Sequence, residues 1–392
     1  MKFVRSLALP LIAVSMFAAP STRAAEPYEI NTILSLSGNL AFVGSTQLKS
    51  LKAVEAYVNQ HGGIDSRSIS FVSADDGSSP QTAVQLAQGL IAKNVPLILG
   101  SSSPQACGAI APLVAQNGPV LYCLANGGQA QQGGYEFLTL MSYDSQMAVA
   151  MRYFRERGLH RLATIFSTDA GGQDAERALK VALALPENKS IELVTQQHFS
   201  PGDASVAAQM AVIKNANPDT MVAWATGGTA GTLFRGARDI GLDVPTVTSP
   251  GNLTGAFLKQ YAPMLPPELI FPAVSYYGSN APTDAATKEA VATLVTSLTA
   301  AGTEPDMLTI SAWDPAMVLV DAIKKLGTNV TGPKLRDYLV NLKGWTGVDG
   351  PYDYVANPQR GIGGQNVVMV RWDATAGKGQ AVSEYGGKPL AK

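Results

Sequence analysis

From Glu29 onward, short apolar runs alternate with longer stretches in which apolar residues recur at helical spacing. This is the pattern of successive strand–helix units that build a parallel sheet, so an α/β fold is predicted. Strands are predicted at 30–35, 69–74, 97–99 and 120–123, and helices at 45–59, 80–93 and 105–116. That makes one α/β lobe. After Met141-Ser142-Tyr143-Asp144 the pattern restarts, with strands at 162–167, 191–198, 220–225 and 245–249 and helices at 147–158, 174–184, 204–216 and 230–240. A strand at 269–277 and helices at 283–301, 306–326 and 332–342 follow, which suggests a return to the first lobe through crossing segments. The halves share an architectural period and no repeat of sequence.

The stretch Ile33–Gly44 organises the first lobe. Ser35, Ser37, Gly38 and Gly44 turn its strand into a helix, leaving backbone N–H groups at the carboxyl edge of the sheet, where such folds hold ligands. An ordinary βα turn has the same local signature. Recurrence favours a ligand: Gly100-Ser101-Ser102-Ser103-Pro104 and Leu124-Ala125-Asn126-Gly127 close the next strands on that edge. Three hydroxyls and a run of N–H donors could surround a carboxylate, although a serine-rich N-cap reads the same way. The aromatic residues Trp224, Tyr276, Tyr277 and Trp313 fall where the lobes should meet, individually as packing and together as a wall for a flat apolar ligand.

At 392 residues the chain exceeds one ordinary domain, in keeping with two lobes. A formal charge of −1 gives no basic excess with which to recruit nucleic acid. Lys2 and Arg5, the apolar run 7–19 and Thr22-Arg23-Ala24 read as a secretory signal peptide over 1–24, cleaved near Ala24 or Ala25. No later apolar run reaches the roughly 20 residues of a membrane anchor, and no cysteine stands at the cleavage site to carry lipid. The expected location is periplasmic or extracellular. In that setting the two cysteines, Cys107 and Cys123, form a disulfide or remain buried thiols; either way they make no zinc site.

Signals for catalysis are weak. Nucleophile-elbow, Walker and dinucleotide motifs are absent, and His61, His160 and His198 are dispersed. Asp75-Asp76 precede a turn ending in Pro80, where turn and capping roles outweigh acid–base work. No catalytic residue, cofactor or metal is expected.

These residues resemble the branched-chain amino acid (Leu/Ile/Val-binding) type of periplasmic substrate-binding proteins of ABC transporters, over nearly all of the mature chain. The marks are Leu36-Ser37-Gly38 with Ala41 and Gly44, Gly62-Gly63-Ile64 after Asn59, Asp75-Asp76 with Pro80 and Ala83, and the Gly100 loop. Phe199-x-Pro201-Gly202-Asp203, Asn217-Pro218-Asp219 and Trp313-Asp314, the last in place of the usual Tyr-Asp, complete them. The resemblance implies the type I periplasmic binding protein fold: two Rossmann-like lobes joined by three crossing segments, with lobe 1 at 25–144 and 275–352 and lobe 2 at 145–274 and 353–392. It also implies closure on a small-molecule ligand and an ABC transporter permease as partner. By position the carboxylate-holding serine matches Ser101, or its neighbours Ser102 and Ser103; the second cradle matches Ala125 and Asn126, and an aromatic matches Phe42 or Val43. Gly171, Trp224, Thr226, Pro250, Tyr276 and Tyr277 complete the expected ligand-binding set.

The departures bear on the ligand. Amino-acid binders of this family place an acid after the strand that here ends Thr248-Ser249-Pro250-Gly251, and this stretch has none. A buried ammonium left unpaired costs several kcal/mol. Ala170-Gly171-Gly172 also replaces a second aromatic, widening the cleft. The expectation is a solute-binding protein for an organic carboxylate without an α-amino group, aromatic in the first instance. Its rivals are an aliphatic amino acid or amide with Asp144 or Asp203 as the acid, a serine hydrolase, which lacks a histidine partner, and a sensory module.

Overall fold

The computed structural model describes residues 26–277 and 284–391; the expected leader at 1–24 lies outside them. Five strands, β1 (Tyr28–Leu34), β2 (Ile69–Asp75), β3 (Leu97–Gly100), β4 (Val120–Cys123) and β5 (Glu136–Leu138), form a parallel sheet in the order β2-β1-β3-β4-β5. Every residue of β3 and β4 is buried, which explains their unbroken apolar sequences: helices cover both faces. The connecting helices are α1 (Ala41–Gln60), α2 (Pro80–Ala92) and α3 (Pro104–Val114). Ser79 and Ser103 cap α2 and α3 by accepting from Thr82 and Ala106, and a proline opens each helix.

Helix α4 (Tyr143–Glu156) leads into the second lobe. Its sheet takes β6 (Arg161–Ser167), β7 (Glu192–Phe199), β8 (Thr220–Trp224), β9 (Thr246–Val247) and β10 (Leu269–Ala273), all parallel, with helices α5 (Ala170–Leu183), α6 (Ala207–Asn215), α7 (Gly228–Asp239) and α8 (Gly255–Tyr261) between them. The chain then returns to pack α9 (Ala285–Ala300) and α10 (Met307–Leu326) against α1, and α11 (Gly332–Val340) against α10. A hairpin of β11 (Lys343–Gly347) and β12 (Gly350–Asp353) follows. Finally β13 (Val368–Asp373) adds antiparallel to β10 and β14 (Lys378–Ala381) antiparallel to β13, giving the order β14-β13-β10-β9-β8-β6-β7.

Several expectations need correction. The predicted strand at 269–277 stops at Ala273, and Ser275–Tyr277 form a 3-10 turn instead. Helix α1 starts at Ala41 and not at 45. Strands β5 and β11 to β14 were not predicted, being short and without a clear alternation. Cys107 and Cys123 are joined in a disulfide, with Cα atoms 6.0 Å apart, that ties α3 to the end of β4.

Each lobe seats its first helix on the strand before it through a glycine. A Cβ at Gly44 would stand 2.2 Å from the Ser35 carbonyl oxygen, and one at Gly172 would stand 1.9 Å from that of Ser167. Both helices therefore start close against the carboxyl edge of their sheets. There the two lobes face one another.

Candidate functional site

Three loops meet at the carboxyl edge of the first sheet, and two acids hold them. Asp75 accepts from the amides of Leu36 (2.8 Å), Ser37 (3.1 Å) and Gly77 (2.8 Å) and from the Ser37 hydroxyl (2.7 Å). The Ser37 hydroxyl is the main reason its carboxyl sits below the usual range. Asp76 is buried and accepts from the Ser101 hydroxyl (2.5 Å) and the Ser78 amide (2.8 Å). Both acids thus organise turns, as their sequence context predicts.

This network decides which serine faces the cleft. The Ser101 side chain is turned toward Asp76 and also accepts from the Ser103 amide (3.1 Å), so Ser101 is not on the wall of the interlobe cavity. Ser103 is spent as the cap of α3 and in a bond to Gln105 (2.9 Å). Ser102 lines the cavity, its Oγ accepting from the Ser35 amide (3.2 Å). The Ser102 proton remains available to a ligand.

Ala125 and Asn126 line the same cavity. The Asn126 carbonyl accepts from the Tyr143 hydroxyl (2.7 Å), and its Oδ1 accepts from Gln146 Nε2 (3.1 Å). Both partners lie on α4, so Asn126 is a point where the lobes touch. Its buried Nδ2 has no protein partner. Burial pushes the Tyr143 phenol well above its ordinary value, which keeps it a neutral donor.

The second lobe supplies the facing wall: Ser167, Asp169 and Gly171 from the β6–α5 turn, and Trp224 and Thr226 from the end of β8. The Trp224 ring meets Tyr143 edge-on at 5.2 Å and 81°. Buried Ser167 Oγ has no protein partner. Thr226 donates to Ser249 (3.0 Å), and Asp169 caps α5 by accepting from the Gly172 amide (2.8 Å). Residues from the first turns of α1, α3, α5, α7 and α10 all reach this cavity, bringing the positive ends of five helices together. Leu40, Val43, Leu124, Leu140 and Met307 supply the apolar part of the wall, beside polar residues that include Gln47, Gln105, Thr229 and Ser311. Among the described residues no lysine or arginine lines it, and Asp169 is its one carboxylate.

Other expected site residues lie elsewhere. Phe42 stacks on Phe257 (6.3 Å, 22°) and abuts Gly227, packing one lobe on the other; its neighbour Val43 reaches the cavity. Pro250 is buried in a 3-10 turn behind Ser249 and Gly251. Because β10 ends at Ala273, Tyr276 and Tyr277 turn to a separate cavity with Leu253, Trp372 and Gly379. Trp313 packs against Tyr57. Neither acid proposed for an ammonium is present: Asp144 pairs with Arg177 (2.7 Å), and Asp203 accepts from the Ser200 amide (2.8 Å).

Gln47 and Asp169 are wall residues that the sequence reading missed. Gln47 donates to the Leu124 carbonyl (2.8 Å) and Ser311 (3.1 Å), leaving its Oε1 unpartnered. Nothing in the sequence singles out Gln47. Asp169 had a signal: an aspartate between a strand and a helix is a capping position at the ligand edge.

Among the described residues, no group of three or more His, Cys, Asp or Glu could hold a metal ion, and no helix is long and apolar enough to cross a membrane.

Comparison with known proteins agrees with this geometry. The family described as periplasmic binding protein matches residues 27–380. The chain is 23% identical over 244 residues to Leu/Ile/Val-binding protein homolog 3 of Brucella melitensis, covering 60% of this chain and 65% of that relative's length. The fold is similar to that of LivJ, the branched-chain amino acid transporter substrate binding protein of Streptococcus pneumoniae, in complex with isoleucine (TM-score 0.75, 19% identity, 91% of this chain and 99% of that one). It is also similar to a solute binding protein of an ABC transporter from R. palustris in complex with benzoate (TM-score 0.73, 20% identity, 93% and 98%).

Proposed function

The chain belongs to the periplasmic binding protein family, and on that premise we propose that it delivers a small organic carboxylate to an ABC importer by closing its lobes around it. The observation that carries this reading is the donor set on one wall of the cavity. Ser102 has a hydroxyl proton to give, Asn126 has a buried Nδ2 without a protein partner, and α3 begins beside them. Neutral donors and helix termini suit an anion that must be released again. No bond is made or broken; binding and closure are the whole mechanism, and the permease is the partner that senses closure.

The body of the ligand is apolar, and an aromatic acid without an α-amino group is the preferred class. Trp224 with the edge-on Tyr143 and the aliphatic wall support this, as does the absence of an acid at Thr248–Gly251. The solved structures of similar fold hold benzoate in one case and isoleucine in another, so carboxylates of both kinds belong in the test. Titration calorimetry of the mature protein with benzoate, cinnamate and leucine provides it. Heat from the aromatic acids at micromolar concentration, about −8 kcal/mol in free energy, supports the reading. Binding of leucine alone replaces it with amino-acid uptake, and silence toward all carboxylates removes it.

A further inference from the structure

The wall opposite the carboxylate donors is built to accept hydrogen bonds. Asp169 and Ser167 both line the cavity, two residues apart on the turn from β6 into α5. One carboxylate oxygen of Asp169, Oδ1, is committed to the Gly172 amide as the cap of α5, and among the described residues the other has no hydrogen-bond partner. The Ser167 hydroxyl is 1% exposed and has no protein partner. Across the turn is Gly171: a Cβ there would lie 3.4 Å from Asp169 Oδ1, 3.8 Å from Pro104 of the first lobe and 3.8 Å from the Tyr143 hydroxyl. With no side chain at Gly171, the acceptor corner is open to whatever occupies the cleft.

A carboxylate ligand entering this cavity meets one negative charge and, among the described residues, no lysine or arginine to offset it. The repulsion is relieved when the ligand itself brings a proton donor to the half-buried Asp169, and the same donor satisfies the buried Ser167 oxygen, which is otherwise penalised. Resting on the carboxylate reading above, we propose that Asp169, with Ser167, selects for a second group on the ligand, an O–H or N–H donor carried on its body. A hydroxylated aromatic acid and an amine-bearing acid share this chemistry. The test separates them.

Wild type and Asp169→Asn are titrated with benzoate, 3-hydroxybenzoate, 4-hydroxybenzoate, phenylalanine and leucine. Asparagine caps helices as well as aspartate does, so the variant keeps the bond to Gly172 while replacing the free acceptor with a donor. In wild type at least one donor-bearing acid binds about 10-fold tighter than benzoate or better, as expected where a site is made to bond a polar group. In Asp169→Asn that preference falls to within about 3-fold, while benzoate holds or gains affinity. A purely structural role for Asp169 would weaken all ligands alike and leave the ratio unchanged. Preference for a hydroxybenzoate identifies a hydroxyl as the source, and preference for phenylalanine or leucine identifies an ammonium. An unchanged ratio in the variant, or benzoate as the tightest wild-type ligand, overturns the proposal and leaves the carboxylate reading standing. If none of the five binds, both fall together.

Discussion

The Ser101 hydroxyl donates to the buried carboxylate of Asp76 at 2.5 Å, and this bond turns Ser101 away from the cleft that Ser102 lines. Adjacent serines therefore have separable roles. Ser102→Ala is expected to weaken ligand binding by about 10-fold or more and to cost about 1–3 kcal/mol of stability, because the buried Ser35 amide loses its acceptor. Ser101→Ala leaves the Asp76 carboxylate short of a donor and is expected to cost about 1–3 kcal/mol of stability, with affinity nearly retained. Calorimetry and urea denaturation of both variants check this. Equal loss of affinity in the two would mean that the loop responds as one unit.

Cys107 and Cys123 are 16 residues apart and pin α3 to β4 directly behind the Ser102 and Ala125 loops. Closing a loop of about 15 residues stabilises a fold by about 3 kcal/mol in the chain-entropy account. The double variant Cys107→Ser, Cys123→Ser should lose about that much, and reduction of the wild type should reproduce the loss. Denaturation curves of oxidised and reduced protein that overlay would contradict it.

The fold was legible because its strands are either continuous and apolar, like Leu97–Gly100, or followed by helices with serine caps and first-turn prolines. These signals are local. Strands β13 and β14 escaped because they are of mixed composition and are held by pairing, β13 to β10 and β14 to β13, and not by their own pattern. Of the residues expected at the site from their position along the chain, Ser102, Ala125, Asn126, Gly171, Trp224 and Thr226 share one cavity. Which serine of three faces inward depends on Asp76, 25 residues earlier, and no local rule supplies that. Tyr276 and Tyr277 were misplaced for a related reason. A strand continued four residues too far carried them toward the cleft, whereas the 3-10 turn aims them at another cavity.

Arg360 shows how the segments between the lobes are held. Its buried guanidinium donates to the carbonyls of Thr139 (2.9 Å), Leu140 (3.1 Å), Gly127 (3.1 Å) and Gly128 (2.7 Å). It so joins the segment after β12 to the start of the crossing into α4 and to the loop that carries Asn126. Lysine keeps the charge but lacks the planar fork that reaches two pairs of carbonyls. Arg360→Lys is expected to cost about 2–4 kcal/mol, because buried carbonyls lose their donors. A denaturation midpoint unchanged from wild type would show that water replaces the guanidinium without loss.

Stability should depend on pH in an unusual direction near neutrality. Burial raises the carboxyl of Glu136 to about 7, opposed in part by the Arg360 charge. It raises Asp306, the cap of α10, to about 6 against the hydrogen bonds from Thr309 and Leu308. It also raises Asp314 above the usual carboxylate range against the amides of Val348 and Asp349 and the Tyr352 hydroxyl. A carboxyl raised on folding favours the protonated folded state, so its contribution is complete below the unfolded value near 4 and is lost as pH climbs through 6 to 7. The opposite case is Glu176: despite the cost of burial, bonds from Lys180, His198 and Gln196 hold it down to about 2, so its contribution disappears only in strong acid. The melting temperature is therefore expected to rise as pH falls from 7.5 to 5 and to drop again below about 4. Glu136→Gln carries no titrating proton and should flatten that rise between about pH 4.5 and 7, the interval between the unfolded and folded values of the glutamate. Melting curves across this range decide the matter: a melting temperature that increases from pH 5 to 7.5, or an identical profile in the glutamine variant, would show that these carboxyls titrate alike in the folded and unfolded chains.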